Sequence, residues 1–181
     1  MDTYKQKFTQ LQLNMMRLLC MKTGTKINNR TMAKLLGVSP TSIAKNLSKL
    51  EKEEYIKTNH LGTMNLNMVE LNRENPDVIA FKRAENQKML YETGFTKFIE
   101  EKFPGTTVIL FGSYSYGEDI VTSDIDIAII GIKQQEIKLE TFEKKLERKI
   151  NLQFYDNLKE INKNLKNNIL NGIILNGQIE L

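Results

Sequence analysis

Residues 107–130 hold two apolar runs on either side of a polar, glycine-bearing loop, and this pattern limits the fold more than any other feature of the chain. Thr107 to Phe111 and Ile125 to Ile130 are short, rich in β-branched side chains and bounded by glycine or acidic residues. Such runs predict buried strands. Beyond them the period returns to helical over Ile137 to Ile150, where Leu139, Phe142 and Leu146 face inward. Asn151 to Tyr155 predicts a third strand, Ile161 to Leu170 a helix closed by Asn171-Gly172, and Ile173 to Ile179 a last strand. Alternating strands and helices of this kind make a layered α/β or α+β fold.

The first part of the chain has a different texture. Phe8, Leu11, Met15, Leu18 and Leu19 repeat at helical spacing up to Thr23-Gly24, with Cys20 as a small core residue within the helix. A second short helix fits Thr31 to Leu36 with Asn29 as its cap, and Gly37-Val38-Ser39-Pro40 is a tight turn into a third. Ile43, Leu47 and Leu50 anchor that third helix on the core. Two strand-like stretches, Tyr55 to Asn59 and Met64 to Leu71, flank a hairpin signal at Leu61-Gly62-Thr63. From Asn75-Pro76-Asp77 a charged helical region leads through Phe81, Met89 and Leu90 to Phe95, Phe98, Ile99 and Phe103, ending at Pro104-Gly105.

Charge follows the same division. Residues 1–72 carry 11 Lys/Arg against 5 Asp/Glu, a balance of +6, whereas residues 73–181 come to −2. A basic segment joined to a mildly acidic one suggests two tasks, with a polyanion near the first. The single cysteine excludes an internal disulfide, and no apolar run approaches the roughly 20 residues that cross a bilayer. The polar stretch from Met1 to Gln10 lacks a signal-peptide core, so the expected setting is the cytoplasm, without membrane contact.

The stretch AKLLGVSPTSIAKNLSKLEKEEYIK resembles the winged helix-turn-helix segment of many bacterial and archaeal transcription regulators, over residues 5–72. The resemblance implies double-stranded DNA as partner. Thr41, Ser42, Lys45, Asn46 and Lys49 would offer hydroxyl, amide and ammonium groups to phosphates and base edges. Glu54 stands where such regulators often have glycine, which asks for a slightly different turn, and His60 near the wing tip reads as a solvated residue. A winged helix used for protein contacts or dimerisation is the alternative, and a homodimer is expected on either reading.

The loop between the two apolar strands carries the chemistry. Gly112 lets the backbone come close to a ligand, and Ser113 with nearby amides can hold phosphate oxygens. Asp124 and Asp126, two apart on a strand, share a face, and adjacent carboxylates invite a divalent ion. The Gly-Ser, ten residues, Asp-x-Asp spacing resembles the minimal, MNT-type nucleotidyltransferases of the DNA polymerase beta superfamily, over about residues 96–181. That resemblance implies transfer of a nucleoside monophosphate, AMP first among them, from an NTP such as ATP to a hydroxyl. Asp124 and Asp126 would then be catalytic and hold Mg²⁺ (or Mn²⁺), with Gly112 and Ser113 binding the nucleotide.

Two departures qualify the resemblance. Tyr116 stands where many relatives have a basic residue. Asn151 takes the position expected for a third carboxylate; it can ligate a metal through its amide oxygen but is no general base, and Asp156 has the opposite strand parity. A regulator that binds nucleotide-Mg²⁺ without turnover therefore stays open, as does an antitoxin-like role opposite a HEPN-type toxin. The expected architecture is α+β: a winged helix-turn-helix at 1–72, a helical connector at 73–95, and a polymerase-beta-like nucleotidyltransferase domain with a mixed sheet at 96–181.

Overall fold

The computed structural model describes residues 7–61 and 66–179, which divide into two units, Met1–Val78 and Ile79–Leu181. The first unit begins with α1 (Gln10–Met21), where Thr9 and Gln12 close a reciprocal capping box. The helix buries Met15, Met16, Leu19 and Cys20, the last as the small core residue its pattern predicts. Next comes the two-residue strand β1 (Ile27–Asn28), too short to carry any alternation and absent from the sequence expectation. The cap of α2 (Asn29–Leu36) is Asn28, whose Oδ1 accepts from the Thr31 amide at 2.8 Å; Asn29, expected as the cap, is the first helical residue.

Gly37 takes the left-handed conformation, φ 65°, that lets α2 turn sharply into α3 (Pro40–Lys52). Ser39 caps α3, Pro40 opens it, and Ile43, Leu47 and Leu50 are buried. The hairpin is β2 (Ile56–Leu61) with β3 (Leu66–Leu71), and β1 pairs antiparallel to the outer side of β3, giving the order β1-β3-β2. This is the winged helix-turn-helix arrangement. The hairpin turn falls at 62–65, and it and the His60 side chain lie outside the described residues.

The turn before β2 departs from expectation. Glu54 keeps the left-handed backbone that a glycine would adopt there, φ 57°, instead of remodelling the turn. Side-chain amides of Asn72 and Asn75 both donate to its carbonyl, at 2.8 and 3.1 Å, and so hold the conformation in place.

The second unit takes in most of α4 (Pro76–Glu92), so the helix expected as a connector over 73–95 is built into this unit from Ile79 onward. The reason is burial: Lys82, Asn86, Met89 and Leu90 are all inside. Thr93-Gly94, with Gly94 at φ 80°, breaks the helical run before α5 (Phe95–Lys102). Strand β4 (Thr107–Phe111) runs into the short helix α6 (Gly112–Tyr116), and β5 (Ile125–Ile130) returns antiparallel to β4. A crossover through α7 (Glu140–Leu146) brings β6 (Ile150–Tyr155) parallel to β5, as a parallel pair requires. Helix α7 is shorter than the run predicted over 137–150, because Glu147 ends it at φ 53°. Then α8 (Lys163–Leu170) leads to β7 (Ile173–Asn176), antiparallel to β4.

The sheet order is β6-β5-β4-β7, mixed as expected. On one face Ile109, Phe111 and Ala128 pack with Ile161 and Ile169. Val108, Leu110, Ile127 and Ile129 are fully buried on the opposite parity.

The backbone at Glu54 makes a stability prediction. Glu54→Gly removes a left-handed strain of about 1–2 kcal/mol and adds unfolded-chain entropy of about 0.5–1 kcal/mol. The variant is expected to be more stable by up to about 1 kcal/mol, read as a rise in the urea midpoint of the transition that unfolds the winged helix.

Candidate functional site

In the first unit the open face of α3 consists of Thr41, Ala44, Lys45, Ser48 and Lys52, all exposed. Of the five residues named from sequence, Thr41 and Lys45 lie on that face. Ser42 and Asn46 are half-buried: the Ser42 amide donates to Ser39 Oγ at 3.1 Å, and Asn46 Nδ2 donates to the Ser42 carbonyl at 2.9 Å. Lys49 is exposed, yet its Nζ donates to the Lys7 carbonyl at 2.7 Å and sits 5.8 Å from the Phe8 ring centre. Lys7 lies 3.1 Å from Glu53 Oε2, which together with the Tyr55 hydroxyl holds its ammonium above the ordinary lysine value. Ala44 carries no polar group to mark it, whereas Ser48 and Lys52 follow Thr41 and Lys45 at helical spacing and extend the exposed face one turn further.

The second unit gathers the Gly-Ser and Asp-x-Asp residues at one end of the sheet. Phe111 is the register partner of Asp126, so the chain turns from β4 into α6 directly beside that carboxylate. Gly112 is required there on two counts. Its φ is +71°, and a Cβ in its place would lie 2.8 Å from Asp126 Oδ2. Ser113 follows, half-buried, and Ser115 Oγ donates to the Gly112 carbonyl at 2.7 Å, tightening the turn.

Asp124 is exposed and stands just ahead of β5, while Asp126 is half-buried within it. Ile125 and Ile127 on either side of Asp126 are fully buried on the opposite face, so Asp126 shares the face of Phe111 and Ala128 and stands at its end, beside the turn into α6. On the other side of β5, Asn151 is the parallel register partner of Asp126 and donates from Nδ2 to Asp126 Oδ1 at 2.9 Å. The expected third-carboxylate position is thus occupied by an amide that bonds Asp126. Among the described residues no group of three or more His, Cys, Asp or Glu side chains is arranged to hold a metal ion. Tyr116, in the position where relatives often carry a base, reaches the Asn171 carbonyl at 3.5 Å.

Beneath this surface lies a polar cluster that the sequence reading missed. Lys82 Nζ and Arg148 Nη2 both pair with Asp119, and the three side chains are all buried. Asn86 Nδ2 donates to Asp119 Oδ1 at 2.7 Å and to the Tyr114 carbonyl at 2.9 Å. Two acceptors on one side fix the orientation of the amide. The only trace in the sequence is the i, i+4 spacing of Lys82 and Asn86, followed by Met89. A lysine and an asparagine on a helix ordinarily read as solvent-facing.

Residues 93–176 match the family model described as nucleotidyltransferase domain. That stretch is a nucleotidyltransferase domain, and the protein joins it to a winged helix-turn-helix. No curated protein matches the chain. Among solved structures it is similar to a zinc-responsive MarR family member, ZitR of Lactococcus lactis, at 22% identity and TM-score 0.39, over 56% of this chain and 67% of that one. Wild-type ZitR in complex with DNA gives 20% identity and TM-score 0.41, over 55% and 64% of the two chains. The adhesin competence repressor of Streptococcus pyogenes gives 17% and 0.40, over 54% and 69%.

The buried cluster yields a second stability prediction. Asp119→Ala leaves Lys82 and Arg148 buried without their shared anion, a loss of about 3–5 kcal/mol for a broken buried pair. Chemical denaturation followed by a probe in the second unit is expected to show that loss.

Proposed function

We propose that the nucleotidyltransferase domain binds a nucleoside triphosphate together with a divalent cation at Gly112, Ser113, Asp124 and Asp126. It would transfer a nucleoside monophosphate, AMP first among candidates, from the triphosphate to an acceptor hydroxyl, which loses its proton as the bond between the α-phosphorus and the bridging oxygen breaks and pyrophosphate leaves. One observation carries this reading: the left-handed backbone of Gly112 lies against Asp126, whose Oδ2 would stand 2.8 Å from a Cβ at that position. A phosphate held by the amides of that turn would therefore lie next to the carboxylates. Mg²⁺ characteristically takes one or two carboxylates and completes its shell with substrate phosphates and water, so two aspartates suit it without a third.

In this reading Asp124 and Asp126 hold the cation, and the Asn151 amide orients Asp126 through Oδ1, leaving Oδ2 on the Gly112 side. Ser113 and the α6 backbone position the phosphates. When bound, Mg²⁺ or Mn²⁺ supplies neutralisation of the charge that develops on the transferred phosphoryl group. Catalysis by the chain itself is then positioning.

A second reading is favoured by Asn151 in particular. With an amide in place of a third carboxylate, the site has no evident base for an acceptor hydroxyl. The protein would then be a winged-helix regulator whose second domain senses nucleotide without turnover, as an MNT-type antitoxin paired with a HEPN-type toxin could do.

Incubation with α-labelled ATP and Mg²⁺ or Mn²⁺, alone and with candidate protein and nucleic-acid acceptors, separates the two. Transfer is expected to fall at least about 100-fold in Asp124→Ala and Asp126→Ala, the scale of losing one electrostatic stabiliser. Nucleotide binding without label supports the second reading, and no binding at all sinks both.

For the first unit we propose double-stranded DNA as partner, with Thr41 and Lys45 facing it and the +6 balance of residues 1–72 supplying the electrostatic attraction. Lys45→Ala is expected to weaken duplex affinity and to lower the salt slope by about 1. Lys49→Ala is expected to do less, because its ammonium is held by the Lys7 carbonyl. Anisotropy titrations of a labelled duplex at several KCl concentrations check both, and equal effects would remove the distinction drawn between these lysines.

A further inference from the structure

We propose that Lys82 and Asn86, on α4, are positioning residues for Asp124 and the Gly112 turn, acting through Asp119 and the Tyr114 carbonyl. They touch neither segment's functional atoms. They hold the backbone on both sides of the site from beneath.

The segment from Asp119 to Ile125 is a loop with three points of attachment. At its start the Asp119 side chain is buried against Lys82, Asn86 and Arg148. In the middle, the Ile120 amide donates to Ser123 Oγ at 3.0 Å, and the Ser123 amide donates back to the Ile120 carbonyl at 2.9 Å. At its end the Ile125 amide donates to the Lys149 carbonyl at 2.8 Å, next to Arg148. Asp124, exposed and ahead of the strand, has its backbone placed by those anchors together with the bond from the Glu118 amide to the Ser113 carbonyl at 3.0 Å. Without the first, the loop is a tether between α6 and β5.

The same network reaches the other half of the site. Asn86 bridges Asp119 and the Tyr114 carbonyl, and Tyr114 lies in α6, one residue beyond Ser113. The Tyr114 hydroxyl reaches back to the Asn86 carbonyl at 3.5 Å. One amide thus ties the loop bearing Asp124 to the turn bearing Gly112 and Ser113. The Asn86 amide oxygen is buried with no donor among the described residues. A buried polar atom left in that state costs stability, so the side chain is retained for what its nitrogen does.

The charge arithmetic makes the inference testable without wrecking the fold. Asp119 faces two cations, so Lys82→Met removes one and leaves a balanced Asp119–Arg148 pair. Asn86→Leu, close in shape, removes two donated hydrogen bonds and leaves no new charge unpaired. Neither resembles Asp119→Ala, which strands two buried cations.

The experiment uses the full chain as wild type, Lys82→Met, Asn86→Leu and Asp124→Ala. Amide exchange is followed by mass spectrometry over 119–125, with β4 and β5 as internal references. Binding of Mn²⁺ in the presence of ATP is measured by electron paramagnetic resonance. Lys82→Met and Asn86→Leu are expected to speed exchange at 119–125 by about 10-fold or more with the strands unchanged, and to weaken Mn²⁺ binding by up to about 10-fold, the lower end of the scale for a partner bonded directly to a ligand. Asp124→Ala is expected to lose Mn²⁺ binding with loop protection intact.

Exchange at 119–125 that stays at the wild-type rate in both network variants overturns the proposal. So does a rise shared equally by β4 and β5, which would mean general loosening. If Lys82→Met does not fold, Asn86→Leu decides the matter. The affinity readout rests on the nucleotide–cation reading of the site, whereas the exchange readout does not. Mn²⁺ binding that survives Asp124→Ala removes that reading and leaves exchange to judge the positioning role.

Discussion

Asp119 is a carboxylate taken out of water and held by two cations and an amide, and the candidate site of the second unit is built above that arrangement. Burying ions is expensive, and a pair of this kind often adds little net stability over apolar residues of similar shape. What it supplies is direction, because an anion with several fixed donors has few alternative positions. Helix α4, the loop before β5 and the residue ahead of β6 all converge on one oxygen pair. Apolar packing alone would hold these segments together without fixing the rotation of any of them.

The upper layer of the site depends on a different constraint, the approach of backbone to side chain. Asp126 has Phe111 opposite it on one strand and Asn151 on the other, so its two oxygens face different neighbours. Oδ1 takes the Asn151 amide, and Oδ2 lies beside the bare Cα of Gly112. Glycine serves there both for its left-handed backbone and for the space it leaves. Glu54 provides the contrast in the first unit: a non-glycine residue accepts a similar backbone because two asparagine amides hold its carbonyl.

The apolar architecture was legible in the sequence wherever burial was one-sided and regular. Ile43, Leu47 and Leu50 gave α3 its inward face, and the runs at 107–111 and 125–130 became adjacent strands because their side chains are apolar on both faces, with Asp126 the one charged residue within them. The Gly-Ser and Asp-x-Asp spacing likewise located one end of the sheet. Three things were hidden. Strand β1 is two residues long, below any period. Helix α4 shows no apolar stripe because Lys82 and Asn86 occupy its buried side, so it read as a connector. Lys49 has the spacing of an outward cation, yet a long-range bond to the Lys7 carbonyl draws it aside. Each miss involves a contact between residues far apart in sequence, which local pattern does not encode.

Asn151 is where sequence and structure bear most directly on activity. A carboxylate at that position would place a third negative charge beside Asp124 and Asp126, and repulsion among the three would have to be met by bound cations. The amide instead donates a hydrogen bond to Asp126 Oδ1 and fixes the orientation of that side chain. On the proposed reading, the site would hold a cation with two negative charges instead of three and would give up a proton acceptor. An acceptor hydroxyl would have to lose its proton to water or to a phosphate oxygen of the nucleotide. On the reading proposed above, such a site would bind nucleotide firmly and transfer slowly.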